Sequence, residues 1–271
     1  AGLNPEDPSS ASLLFFFIRW ITHLCAPIFV LLAGASIPFA ARSRGPMQMR
    51  KLLLTRGLWL MVLECTWVTF SWYFDFRGIH LGILWGIGGA MVLMSLVYGL
   101  STRLLGAVAL LYLCAHPFLP DGGGLYNWLS KPQGFELLGR PIYSVYVILP
   151  WFAVLAVGQS LSTLLSTKSP QKLAQYGAIL LLLFAMLRGL QLPDWNPWEA
   201  QHSWNAFIID FFNPSKYPPS LQFLLMTIGS ALVVLPALMT DRVARLLRHF
   251  GKVPMLYYLL HLPLLHLMGL P

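Results

Sequence analysis

Between Leu13 and Ala41 the chain reads LLFFFIRWITHLCAPIFVLLAGASIPFAA, an apolar run carrying Arg19 and His23 four residues apart. About 20 apolar residues suffice to cross a bilayer as a helix. A charged side chain inside such a helix costs at least ~2.5–3.5 kcal/mol on insertion scales, so packing alone does not account for Arg19. The stretch therefore reads as a membrane span with a polar site in it, and the four-residue spacing puts Arg19 and His23 on one helix face.

The rest of the chain agrees. Of 271 residues, 57% are hydrophobic and 10% charged, against ~45–50% and ~25% in soluble domains. Seven further apolar runs fall at roughly 52–72, 80–99, 104–119, 142–165, 174–192, 220–240 and 255–270. Backbone groups in lipid must be satisfied within each segment, so the expected fold is all-α, a multipass transmembrane bundle of about eight spans. The whole chain, 1–271, reads as a single integral-membrane domain. The opening Ala1–Pro8 shows no leader pattern and Pro271 follows closely on the last run, so both ends read as truncated.

Charge sets the expected orientation. Alternate breaks hold Arg42, Arg44, Arg50, Lys51, Arg103, Lys168, Lys172, Arg242, Arg245, Arg248 and Lys252, with Asp241 their only acid. The other breaks hold only Arg77, Lys131, Arg140 and Lys216, with most of the acids: Asp75, Asp121, Glu136, Asp194, Glu199 and Asp210. The positive-inside rule places the first set in the cytoplasm and the N-terminus outside. The net charge of +8 thus marks topology, and nucleic acid is not implied. The basic face also suits a phosphorylated, nucleotide-bearing ligand.

Counting 1.5 Å per residue from each helix end puts Arg19, His23, Glu64, Arg188 and His266 at one depth in the outer half, with His261 nearer the centre. A shared, outward-opening polar cavity is expected. Other readings stay open: Arg19 and Arg56 as snorkelling residues, Glu64 as a structural ion-pair partner, His116 as a helix-end cap. His261 and His266 are about 140° apart around a helix, so one pocket takes both only if Pro263 kinks it. Cys25, Cys65 and Cys114 form no disulfide framework, and no cluster has metal-ligand spacing, so no metal is expected. The segment 193–219 is dense in aromatics (Trp195, Trp198, Trp204, Phe207, Phe211, Phe212, Tyr217), with His202, Asn213 and Lys216 among them. It reads as an interfacial belt, a lid or a sugar-stacking platform.

Four segments carry a family likeness: RWITHLCAPIFVLLAG (19–34), TRGLWLMVLE (55–64), NPSKYPPSL (213–221) and GKVPMLYYLLH (251–261). They resemble bacterial members of the heparan-α-glucosaminide N-acetyltransferase catalytic-domain family. The resemblance implies an acyltransferase in a bacterial inner membrane, one that moves acetyl from cytosolic acetyl-CoA to an amino sugar or glycan across it. In the family the catalytic histidine lies ahead of the segment matching Leu13–Gly34, whereas residues 1–18 here hold none. His23 is therefore a candidate by its chemistry, as general base or acyl carrier. Glu64 would orient its imidazole or neutralise Arg19. Arg188, Lys216, Asn213, Tyr217, His261 and His266 form the expected acceptor- or cofactor-binding set. Membrane lipid and a glycan acceptor are the expected partners, with self-association open. A transporter or a non-catalytic membrane subunit remains the alternative; no inverted repeat favours the transporter.

Overall fold

The computed structural model describes residues 11–120, 122–137, 139–199, 203–240, 243, 245 and 251–269. The expectations that fall on Ala1–Pro8, Asp121, His202, Asp241, Arg242, Arg248 and Pro271 lie outside those residues. The described chain is mostly helical, in two compact units. The first draws on Ala1–Phe39, Ser101–Gly122 and Ala153–Leu235; the second on Ala40–Leu100, Gly123–Phe152 and Pro236–Pro271.

In the first unit the decisive stretch forms two helices, α1 (Leu13–His23) and α2 (Cys25–Ala41). Ser12 opens α1 by accepting the amide of Phe15. The break at Leu24 has a covalent cause. Pro27 has no N–H for the carbonyl four residues earlier, which is that of His23. The unit continues with α6 (Thr102–Ala115), a 3₁₀ turn (His116–Phe118), α8 (Ile148–Ser160), α9 (Ser162–Thr167), α10 (Pro170–Gly189), α11 (Trp204–Phe211) and α12 (Leu221–Leu238). Serine caps recur: Ser101, Ser169 and Ser203 each accept an amide of the first turn that follows. Helices α10 and α12 cross at Gly177 and Gly229. A Cβ on Gly177 would lie 2.7 Å from the Gly229 carbonyl oxygen, so only the missing side chains allow this approach.

The second unit holds α3 (Pro46–Leu63), a π turn (Glu64–Val68), α4 (Thr69–Tyr73), α5 (Ile83–Val97), α7 (Gly124–Ser130) and α13 (Pro254–Gly269). Gly57 and Gly88 bring α3 and α5 together in the same way, a Cβ on either meeting the other's carbonyl oxygen at 2.6 Å. This unit also contains a sheet that the hydrophobic pattern concealed. Strands β1 (Ile79–Leu81), β2 (Gln133–Leu137) and β3 (Arg140–Ser144) pair in the order β1-β3-β2, with β1 parallel and β2 antiparallel to β3.

That sheet corrects two expected spans. The runs 80–99 and 142–165 begin in extended backbone, and their main helices are Ile83–Val97 and Ile148–Ser160, the second followed after Leu161 by the short α9. At 1.5 Å per residue these reach about 20–23 Å, short of the ~30 Å hydrocarbon core. Among the described residues four helical stretches are long and apolar enough to cross: Leu13–Ala41, Pro46–Trp72, Pro170–Gly189 and Leu221–Leu238. A membrane-embedded helical bundle stands, but helix length does not carry eight full crossings.

Internal contacts group the connections by face. The pairs Ile79↔Ile142, His80↔Tyr143 and Leu81↔Ser144 put the segment after α4 beside the one after α7. Arg50, at the start of α3, donates to the Tyr98 carbonyl at the end of α5 at 2.7 and 3.1 Å. In the first unit the His116 ring, at the end of α6, lies 4.7 Å from that of Trp195 in the connection after α10. Each pairing joins segments that the charge pattern assigned to a common side.

Candidate functional site

His23 stands at the proline-enforced break between α1 and α2. It is 6% exposed, and its ring lies 5.9 Å from that of Phe223 near the start of α12. One turn earlier the Trp20 indole donates to the Met226 sulfur at 3.4 Å, so the break is seated on α12 by two contacts. Arg19 departs from expectation. It is exposed and donates to Thr22 on its own helix at 3.2 Å, whereas His23 on the same helix is buried.

Arg188 is the hub of the connection that follows it. It is 1% exposed, yet the guanidinium meets backbone oxygens: Phe211 at 3.1 Å from Nε, Asn196 at 2.7 Å, Asp210 at 2.9 Å and Asn213 at 3.5 Å. Its own carbonyl accepts from the Trp198 indole at 2.7 Å. The carboxylates of Asp194 and Asp210 supply the compensating charge. With its planar fork so occupied by the carbonyls of Asn196, Asp210, Phe211 and Asn213, Arg188 ties the two described stretches of this connection together and is not presented to an anionic ligand.

The NPSKYPPSL segment forms a turn on that platform. Asp194 Oδ1 accepts the amides of Asn196 at 2.8 Å and Ser215 at 2.9 Å, and Ser215 closes the turn by accepting the Ser220 amide at 3.0 Å. Asn213 contributes its carbonyl, which also takes the Asn196 side-chain amide at 2.6 Å. Lys216 projects over the Tyr217 ring at 5.2 Å and lies close enough to Cys25 for its charge to be felt there. Cys25 is two residues beyond His23. The first and third sequence motifs thus lie near one another, Lys216 being within electrostatic reach of Cys25, and Phe223, two residues past the third motif, packs near His23.

Two features here escaped the sequence. Asp194 Oδ2 is buried without a hydrogen-bond partner, an open acceptor at the foot of the Lys216 turn. Its acid looked like any other loop acid before the turn was folded. His116 is 1% exposed, with the Tyr112 ring 4.9 Å and the Trp195 ring 4.7 Å away. His116 is the C-cap of α6, its amide donating to the Tyr112 carbonyl as expected of a helix-end residue, and its ring is held besides in an aromatic clamp. Above these groups Trp204 stacks on Phe207 at 5.3 Å with 75% of its surface exposed, the part of the aromatic segment open to a flat ligand face.

In the second unit Glu64 is 1% exposed and caps a helix. Its carboxylate accepts the Leu84 amide at 2.8 Å and faces those of Gly82 and Trp85, at the start of α5. A carboxylate there satisfies orphan amides and opposes the positive end of the helix dipole. Gly82 leaves room for this cap: a Cβ there would fall 2.7 Å from the carboxylate oxygen and push the side chain aside. Within its own unit the role of Glu64 is this cap. His266 packs edge-on against Phe74 at 4.5 Å, and His261 is exposed with Nδ1 against the carbonyls of Tyr257 and Tyr258. Within the first unit Arg188 and His23 have separate partners, and within the second so do Glu64 and His266. Among the described residues no group of three or more His, Cys, Asp and Glu could hold a metal ion.

A family model described as heparan-alpha-glucosaminide N-acetyltransferase, catalytic, matches residues 7–189. The chain belongs to that family. Membership brings membrane residence and acetyltransferase character together, in line with the four long apolar helical stretches. No curated protein and no solved structure matches the chain. The matched range includes His23, Glu64 and Arg188, whereas the Lys216 turn lies beyond it.

Proposed function

We propose that this heparan-α-glucosaminide N-acetyltransferase family member carries acetyl from cytosolic acetyl-CoA to an amine or hydroxyl of an extracytoplasmic glycan, with His23 as the reacting base or carrier. The observation that carries the reading is the seating of buried His23 against α12, beneath a turn that holds Lys216 close to Cys25. As base, the imidazole takes the acceptor's proton while its nitrogen or oxygen attacks the thioester carbonyl. The carbon–sulfur bond then breaks and the thiol leaves with a proton. As carrier, the imidazole nitrogen attacks the thioester carbonyl, the carbon–sulfur bond breaks and the thiol leaves with the imidazole's proton. The acceptor then attacks the acyl-imidazole, the nitrogen–acyl bond breaks and the ring takes the acceptor's proton. Lys216 supplies positive charge for an anionic acceptor or for the developing oxyanion. The exposed Trp204–Phe207 stack offers a sugar ring a flat face. The basic face opposite accommodates the nucleotide phosphates of the donor.

The test is acetyl transfer by purified full-length protein, read as thiol release with glucosamine or a glycan acceptor. His23→Ala should cost ~10²–10⁴ in rate if the histidine is a general base, and all detectable transfer if it carries the acyl group. Near-parental turnover in that variant would move the chemistry to another group.

A further inference from the structure

We infer that the first unit holds a binding site for one anionic phospholipid, its acyl chain lying in an apolar crevice and its phosphate on three cations at one end. The crevice has a volume of about 460 Å³, within the range of ligand sites, and is walled by Leu110 and Leu113 of α6, Val157 of α8, Leu164 of α9, Leu180 of α10 and Leu225 of α12. Its lining is almost wholly hydrocarbon, Ser160 and Tyr176 being the polar exceptions. Such walls suit an acyl chain and leave the amides of a pantetheine arm without partners.

Its head-group end is marked by charge. Gly106 and Ala107 line the crevice one helical turn after Arg103, and Tyr176 does so one turn after Lys172. On α9, Leu165 lines it three residues before Lys168. Arg103, Lys168 and Lys172 are all exposed, and among the described residues none has an ion pair or a side-chain hydrogen bond. The charge pattern assigns all three to the cytoplasmic side, where anionic head groups attract basic residues and basic pockets between helices bind them.

Native mass spectrometry of the full chain, released from nanodiscs of mixed phosphatidylglycerol and phosphatidylcholine, tests this. Phosphatidylglycerol should be retained selectively, with a loss of about fivefold for each cation removed in Arg103→Gln, Lys168→Gln and Lys172→Gln. Ala107→Trp, which fills the crevice, should lower retention of either lipid while the three cations remain. Equal retention of both lipids by the parent, or unchanged phosphatidylglycerol retention in the triple variant, would overturn the inference. So would displacement of the lipid by free acetyl-CoA, which would assign the cations to the donor. Melting temperatures of each variant, measured alongside, separate loss of lipid from loss of fold.

Discussion

Arg188 and Glu64 are both buried charges in long apolar helices, one in each unit, and backbone neutralises them in opposite senses. Arg188 gathers carbonyl oxygens from Asn196, Asp210, Phe211 and Asn213 and so folds the connection that follows its helix. Glu64 gathers amides from the first turn of α5 and so fixes how one helix follows another. The first charge builds a platform outside the helices, the second a corner between them. The contrast teaches that a charge in a span, read by default as a functional group, can instead replace the water that a turn or helix end lacks.

The comparison breaks first at Arg188. Arg188→Met leaves several buried carbonyls without donors and Asp194 and Asp210 without their cation, and should lower stability by ~3–5 kcal/mol. Thermal unfolding in detergent reads this loss, and Arg188→Lys should recover little, because a point charge cannot match the planar fork. Protease cleavage within 194–213 should rise in both variants. A parental melting curve for Arg188→Met would remove the platform from the account.

Glu64 is the smaller case. Glu64→Ala uncovers the amides of one helix start and should cost ~1–3 kcal/mol. Glu64→Gln keeps an acceptor and should recover much of that. Equal losses in the two variants would show that the carboxylate's charge is needed where the cap asks only for an oxygen.

The smallest effect belongs to the sheet. Partial burial beside Tyr143 lowers the pKa of His80 from its ordinary 6.5. The unfolded chain then binds the proton more readily, so the stabilising effect is full above pH 6.5 and fades as pH falls below it. His80→Gln should flatten the slope of melting temperature between pH 6.5 and 5, and an unchanged slope would assign it to another group.

These regions also mark what the sequence disclosed. The membrane class was legible because runs such as Leu13–Ala41 are long, and the break inside that run is visible in Pro27 once its missing N–H is traced to His23. The sheet was not legible. Ile79–Leu81 and Arg140–Ser144 adjoin apolar helices, so strand and helix merged into single hydrophobic stretches. The apolar pattern placed Arg188 and Glu64 inside long helical stretches, but it holds no information on where a side chain's partners come from. Those partners lie 8–25 residues away for Arg188 and 20 for Glu64, in backbone that has no sequence signature. The Lys216 turn was legible as a motif, though not as a neighbour of Cys25.

The central claim divides structural from reactive groups, and one measurement addresses that division most directly. Acetyl-transfer rate per folded molecule would be compared for Glu64→Gln and His23→Gln in the full-length protein, with folded fraction taken from the melting curve. The account predicts a near-parental rate for Glu64→Gln and a loss of ~10² or more for His23→Gln. The reverse pattern, with Glu64→Gln inactive but fully folded and His23→Gln active, would contradict it.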